Sequence, residues 1–353
     1  MRHWHTTRRA RAALATAAAW LGMGLAAPTH AAPGYEFTKP ELEAVMQDLI
    51  AWLPGAWDSY PQIHYQRRVG APAGGEHDHW HRTFARIDAP QIGPVVFYGQ
   101  INIGGRDGPL LERSQILYVV EIDEQRSAVN MNGQGPLDPE KFVNLHERPE
   151  LWSQVRMRDR SSIKCDFLWR RDGTQLFAVL DGKTDERRRR GPGSCSYNMA
   201  NTDVEFYADA EWVLSPDDLW DYDINTIGGR LFVGREDRLH IRLFRTAGYR
   251  CELRDRDGAR PWHAHNRGAR APVRDAAGAA AELMLLRAPM PAKQGPGLEE
   301  RLRLLLKPPG VEQPRVEVEA IATAEQIELR AEGIEASCRR VADLPPLTPP
   351  PAD

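Results

Sequence analysis

Cys165-Asp166-Phe167-Leu168-Trp169-Arg170-Arg171-Asp172-Gly173-Thr174-Gln175-Leu176-Phe177-Ala178-Val179-Leu180-Asp181 is the stretch on which the fold turns. Aromatic, aliphatic and β-branched residues flank an Asp-Gly pair, and such a pair accepts the backbone angles of a tight hairpin turn. The pattern predicts strands over 162–170 and 175–181 with the turn at Asp172-Gly173. Gly193-Ser194-Cys195 and Trp220-Asp221-Tyr222-Asp223 follow in the same turn-punctuated setting, so folding the segment back brings Cys165 towards Cys195 across a sheet.

On either side the same texture continues. Strands are expected over 57–68, 79–87, 94–103, 116–122, 202–214 and 230–244, with Gly104-Gly105 and Asp107-Gly108 among the turns and a single helix near Asp138-Pro139-Glu140-Lys141-Phe142. Ahead of them, Thr38 with Pro40 and Glu41 reads as a capped helix start. Leu42, Val45, Met46, Leu49, Ile50 and Leu53 then recur at helical spacing up to Pro54-Gly55. About eight strands on short turns predict a mainly β fold, an antiparallel up-and-down barrel with an N-terminal helix, with a two-sheet sandwich as the alternative. The barrel is expected over 38–253. A small α+β appendage is expected over 254–343, because 276–286 is Ala/Leu-rich while 316–334 alternates like paired strands; 344–353 is a Pro-rich tail that need not be ordered.

Residues 1–31 read as a secretory signal peptide: Arg2, Arg8, Arg9 and Arg11, then an apolar run over 13–27, then Thr29-His30-Ala31 as the cleavage site. Export leaves no membrane span, and with no cysteine at the cleavage site there is no lipid attachment point. Loss of those four positive charges takes the formal charge from -3 to -7, a balance that argues against nucleic acid as a partner. The four cysteines, Cys165, Cys195, Cys251 and Cys338, suit two bridges in an oxidising compartment. Three pairings exist; Cys165 with Cys195 and Cys251 with Cys338 is favoured, leaving no free thiol.

Over residues 42–232 the chain resembles the CpcT/CpeT-type chromophore lyases. The resemblance rests on Leu53-Pro54-Gly55-Ala56-Trp57-Asp58-Ser59 with Gln62, on Phe97-Tyr98-Gly99-Gln100 and on Asp138-Pro139-Glu140-Lys141-Phe142. It continues through Cys165-Asp166, Asp172-Gly173 with Phe177, Gly193-Ser194-Cys195 and Trp220-Asp221. It implies a calycin-like, lipocalin-like barrel, a linear tetrapyrrole (bilin) as ligand and an acceptor protein whose cysteine receives it. Where the family shows Tyr-Val-Glu-Gln this chain has Gly99 in place of the acid, and the family's Tyr-Arg-Gln-Arg segment falls on 111–116, keeping Arg113. A non-catalytic carrier or envelope scaffold is the alternative to a lyase.

Aromatic residues suit a barrel mouth that recognises flat hydrophobic molecules, and Trp57, Tyr98, Tyr118 and Trp220, with Tyr65 and Phe97, are the candidates. Gln62, Gln100, Arg113 and Gln115 are candidates for its polar groups, with Arg113 gripping carboxylates. His77, His79 and His81 alternate, so an extended chain places three imidazoles on one face as metal ligands; His263 and His265 are expected to be loop decoration. Arg187 to Arg190 reads as a solvated hairpin tip and Asp217, Asp218, Asp221 and Asp223 as turn formers rather than a glycosidase pair.

Overall fold

Gly173, at φ +57°, turns the chain between two antiparallel strands, Cys165–Asp172 and Gln175–Gly182, as the Asp-Gly pair predicts. This hairpin belongs to a closed barrel in the computed structural model, which describes residues 36–72, 75–158, 165–182, 194–199, 202–235, 237 and 239–347. The expected signal peptide and the Arg187 to Arg190 run lie outside the described residues.

In chain order the first elements are α1 (Lys39–Trp52), β1 (Gly55–Asp58), α2 (Tyr60–Arg68), β2 (Trp80–Ile87), β3 (Val96–Ile103), β4 (Ile116–Asp123) and β5 (Ala128–Gln134). Then come β6 (Cys165–Asp172), β7 (Gln175–Gly182), β8 (Ser194–Asn198), β9 (Glu205–Leu214), β10 (Asp218–Ile227), β11 (Arg230–Val233) and β12 (Ile241–Arg245). Ten of these strands close a ring in the order β1-β2-β3-β4-β5-β6-β7-β9-β10-β12, all pairs antiparallel, with β12 returning to β1 through Trp57 and Arg245. Closure removes both sheet edges. β8 continues the β9 edge beyond β7, and β11 does the same for β10 beyond β12.

Thr38 caps α1 through its backbone N–H, which donates to the Glu41 carboxylate at 2.7 Å. The buried face of α1, with Val45, Leu49 and Leu53, joins Trp57, Phe97, Val129, Trp169 and Leu243 in the principal core. The stretch expected as a strand over 57–68 is instead β1 followed by α2. The Asp58 carboxylate accepts from the Tyr60 N–H at 2.8 Å, and Pro61 sits in the first turn where a missing N–H costs nothing. The helix expected near 138–142 is a series of single 3₁₀ turns, Pro139–Phe142, Leu145–Glu147 and Pro149–Leu151.

Past β12 the chain builds a second β-body. Its strands are β13 (Gly248–Asp255), β14 (Gly258–His265), β15 (Arg267–Arg274), β16 (Ala280–Pro291), β17 (Leu298–Lys307), β18 (Val316–Ile321), β19 (Gln326–Ala331) and β20 (Ile334–Val341). They form two four-stranded sheets, β14-β13-β20-β19 and β15-β16-β17-β18, around a shared core that includes Leu253, Leu283, Leu304 and Leu329. The expected α+β appendage is therefore corrected to an all-β sandwich among the described residues, and the divide falls before Gly248 rather than at 253/254. Most of the Ala/Leu-rich run falls in β16, a strand buried on both faces: Leu283 and Leu285 fill the sandwich, while Met284 and Leu286 meet Tyr60 and Ile63 of α2. Two-sided burial erases the alternation that marks a half-exposed strand.

Both favoured disulfides form. Cys165 of β6 joins Cys195 of β8, and Cys251 joins Cys338 between the paired central strands β13 and β20. The first part of the Pro-rich tail is docked: the Leu347 N–H donates to the Glu147 carboxylate at 2.9 Å, and Arg106 reaches the Pro345 carbonyl. No helix among the described residues is long and apolar enough to cross a membrane.

Candidate functional site

Alternation along β2 sends Trp80, Arg82 and Phe84 into the barrel and His81, Thr83 and Ala85 outwards. Phe84 joins the core, while Trp80 and Arg82 border a cavity of about 520 Å³, walled by Trp80, Phe167, Phe206, Trp212 and Phe232. Arg82 lies at its polar base, ion-paired with Asp221 and 3.3 Å from the Tyr118 hydroxyl, its guanidinium 4.2 Å from the Trp212 ring centroid and 4.7 Å from that of Phe84. Asp223 follows two residues along β10 on the same face and accepts from Asn225 Nδ2 at 2.7 Å.

Burial and the neighbouring Asp221 charge push the Asp223 carboxyl up to about 7, against the pull of Arg82. Burial also raises the Tyr118 hydroxyl, which the adjacent guanidinium only partly offsets. Asp221 Oδ1 and Trp212 Nε1 approach each other without completing a hydrogen bond. The inner end of the cavity thus presents the Arg82 cation, the carboxyl groups of Asp221 and Asp223 and the Tyr118 phenol, inside an aromatic wall, while Glu112 and Arg113 line it further out. Carboxylates placed there can accept hydrogen bonds from donor groups.

Of the residues expected at a ligand, Tyr118 and Arg113 border this cavity, Arg113 as an exposed side chain at the mouth. Trp57 points inward but is sealed in the core, its indole N–H bonded to the Leu53 carbonyl at 3.1 Å and its ring 4.2 Å beneath Arg245. Phe97 is likewise core, and Tyr65 is exposed on α2. Gln62 splices α2 to the barrel, donating to the His240 carbonyl and accepting from the Arg242 N–H.

Tyr98, Gln100 and Gln115 occupy the outer wall. There the Tyr98 hydroxyl lies 2.8 Å from Gln100 Oε1 and 3.0 Å from the Phe142 carbonyl and shares its one proton between them, Gln100 Nε2 donates to Asn144 at 2.8 Å, and Gln115 Nε2 donates to the Pro139 carbonyl at 2.9 Å. They fasten the 3₁₀ turns to the barrel. Trp220 is on the outer surface beside Arg242. The strand period places residues 98 and 100 opposite 97 and 99, and that parity separates wall fasteners from inward, core-facing residues.

Sequence reasoning missed Arg82 and Trp212. Asp221 and Asp223, read as turn formers, instead occupy inward positions of β10; their i, i+2 spacing was the available signal.

The histidine run divides. His77, ahead of β2 where the chain is not yet extended, pairs with Gln66 of α2 at 2.9 Å. His79 and His81 converge on Asp58, with His79 Nε2 2.9 Å from Oδ1 and His81 Nδ1 3.0 Å from Oδ2. His265, at the end of β14, arrives from the sandwich with Nε2 3.7 Å from Oδ2, while His263 stays exposed. Burial alone would raise the Asp58 carboxyl, but His79, His81 and His265 together hold it well below the usual carboxylate range. Burial, more than any charge, pushes His265 down to about 3. Beside His81 opens a second cavity of about 600 Å³ between barrel wall and sandwich, bordered by Gln100, Arg106, His146, Glu325 and Arg340.

The chain matches no protein-family profile, and no curated protein is significantly similar to it.

Proposed function

We propose that this protein is a CpcT/CpeT-like, calycin-type binding protein that takes a flat conjugated ligand with N–H donors, of the linear tetrapyrrole kind, into the barrel. The observation that carries this reading is the Arg82–Asp221 pair with Asp223 at the base of an aromatic cavity. Its volume, about 520 Å³, falls within the range of roughly 300–1,000 Å³ for small-molecule sites. Pyrrole N–H groups would donate to Asp221 Oδ1, and propionates would meet Arg113 at the mouth.

Transfer to a client cysteine needs an acid. The family's acidic position is Gly99, where a Cβ would lie 3.1 Å from Tyr118 and 3.2 Å from Phe84, too tight for a glutamate without repacking. Burial pushes the carboxyls of the adjacent Asp221 and Asp223 upward, Asp223 to about 7, and this pair is the proton donor the reading calls for. All four cysteines are bridged, so an attacking thiol belongs to the acceptor protein. The two bridges, together with the signal-like reading of the first residues, support an exported, oxidising setting.

Adding biliverdin to the oxidised protein tests the reading. A saturable shifted absorbance band with induced circular dichroism at one equivalent is expected, weakened about tenfold or more in Arg82→Met, where the carboxylates lose their counter-charge. A wild-type titration showing only free-bilin absorbance removes it. Mixing the loaded protein with a cysteine-bearing acceptor then separates the roles, since a covalent adduct marks a lyase and exchange without adduct marks a carrier.

A further inference from the structure

We infer that Asp58, His81 and His265 form a binding site for a first-row divalent transition metal at the junction of barrel and sandwich. The three come from the end of β1, the start of β2 and the end of β14, are all buried, and bring one ligand atom each within 4.8 Å of one another. Tetrahedral bonds of about 2.0–2.2 Å set neighbouring nitrogen and oxygen ligands roughly 3.3–3.6 Å apart. The separations from Asp58 Oδ2, 3.0 Å to His81 Nδ1 and 3.7 Å to His265 Nε2, bracket that spacing.

The remaining contacts read as a second layer. Asp58 Oδ1 faces away from the pair and takes the Tyr60 N–H at 2.8 Å and His79 Nε2 at 2.9 Å, which fixes the carboxylate plane. Two imidazoles with one carboxylate suit zinc or iron(II) rather than calcium or magnesium, which prefer all-oxygen shells. Of the three, His81 borders the cavity lined also by Arg106 and His146, and a water or an anionic group would complete the shell from that side. Two contacts oppose loading: His81 Nδ1 donates to Asp58 Oδ2 at 3.0 Å and must shift its proton to Nε2, and the Arg267 N–H lies 3.3 Å from His265 Nδ1, which favours the Nε2–H tautomer, so the metal must displace both bonds.

The test uses full-length, untagged, disulfide-intact protein. Cobalt(II) added to metal-stripped wild type should give a visible d–d band that saturates at one equivalent and is bleached by zinc. His265→Ala should lose the band while keeping the far-ultraviolet spectrum of the fold. His79→Gln should weaken affinity roughly 10- to 100-fold, as loss of an outer-shell partner does. His77→Ala, outside the cluster, should titrate like wild type. A flat cobalt titration of folded wild type overturns the proposal and leaves Asp58 as a carboxylate satisfied by hydrogen bonds alone. An undiminished band in His265→Ala overturns the ligand assignment. Neither readout depends on bilin binding, so this site and the barrel cavity succeed or fail separately.

Discussion

Burial and the Asp221 charge both disfavour the ionised form of Asp223 in the folded barrel and push its carboxyl up to about 7. Between the ordinary carboxylate pKa of about 4 and the folded value of about 7, the folded state binds more protons than the unfolded state. Stability from this group is therefore lost as pH rises through that window. Asp223→Asn keeps the shape and removes the ionisation, so it should gain on wild type between pH 5 and 8, on the order of 1–2 kcal/mol once cavity water is allowed for. Urea midpoints of both proteins at the two pH values measure it, and parallel curves would refute the assignment. Arg82→Met is the complementary change: it leaves two carboxyls in a low-dielectric wall without their cation and should cost roughly 3–5 kcal/mol above pH 7. Neither role was legible in the sequence, because Asp-rich turns and Asp-bearing strands look alike until pairing with β9 and β12 fixes which way residues 221 and 223 point.

At the scale of elements, what was legible follows from local chemistry and what was not follows from partners. The capped helix α1, the hairpin at Asp172-Gly173 and the strands β2, β3, β4, β6, β7 and β9 are written in short stretches of sequence and formed as expected, whereas β5 and β10 were not foreseen. β16 and α2 exchange the types their composition suggests because each meets the other: Tyr60 and Ile63 cover the face of β16 that would otherwise need polar residues. The His79/His81 half of the junction cluster was legible as a spacing, whereas Asp58 and His265 join it only through contacts distant in sequence. The fit between α2 and β15 leaves no slack at Gly268, which sits at φ +102° with a built Cβ 2.2 Å from the Tyr60 ring. Gly268→Ala combines a disfavoured backbone angle with a steric clash and should destabilise the protein by about 2–4 kcal/mol in equilibrium unfolding. A variant that unfolds with the wild-type midpoint would mean that α2 does not press on β15 as described.

Across the molecule, barrel and sandwich share charged groups as well as apolar surface. Glu312, in the loop between β17 and β18, accepts from Tyr60 at 2.8 Å, from Arg67 at 2.8 Å and pairs with His64 at 3.0 Å. Burial alone would raise its carboxyl, yet these partners and Lys307 hold it well below the ordinary range. A depressed carboxyl stabilises fully above its unfolded pKa of about 4.3 and loses that contribution as pH falls below it, the opposite sense to Asp223. Stability should thus peak in mildly acidic solution, with the junction failing on the acid side and the cavity base on the alkaline side. Because Glu312 belongs to the sandwich and its partners on α2 belong to the barrel side, Glu312→Gln reports whether the two unfold together. Cooperative coupling requires the tryptophans of the barrel core, Trp169 and Trp212, to lose their burial at the same urea concentration as the sandwich strands lose their β signal. In Glu312→Gln both midpoints should drop together, by an amount equivalent to about 1–3 kcal/mol at pH 7, and the wild-type advantage should shrink below pH 4. Fluorescence unchanged while the β signal shifts would mean that the bodies unfold independently and that Glu312 stabilises only its own loop.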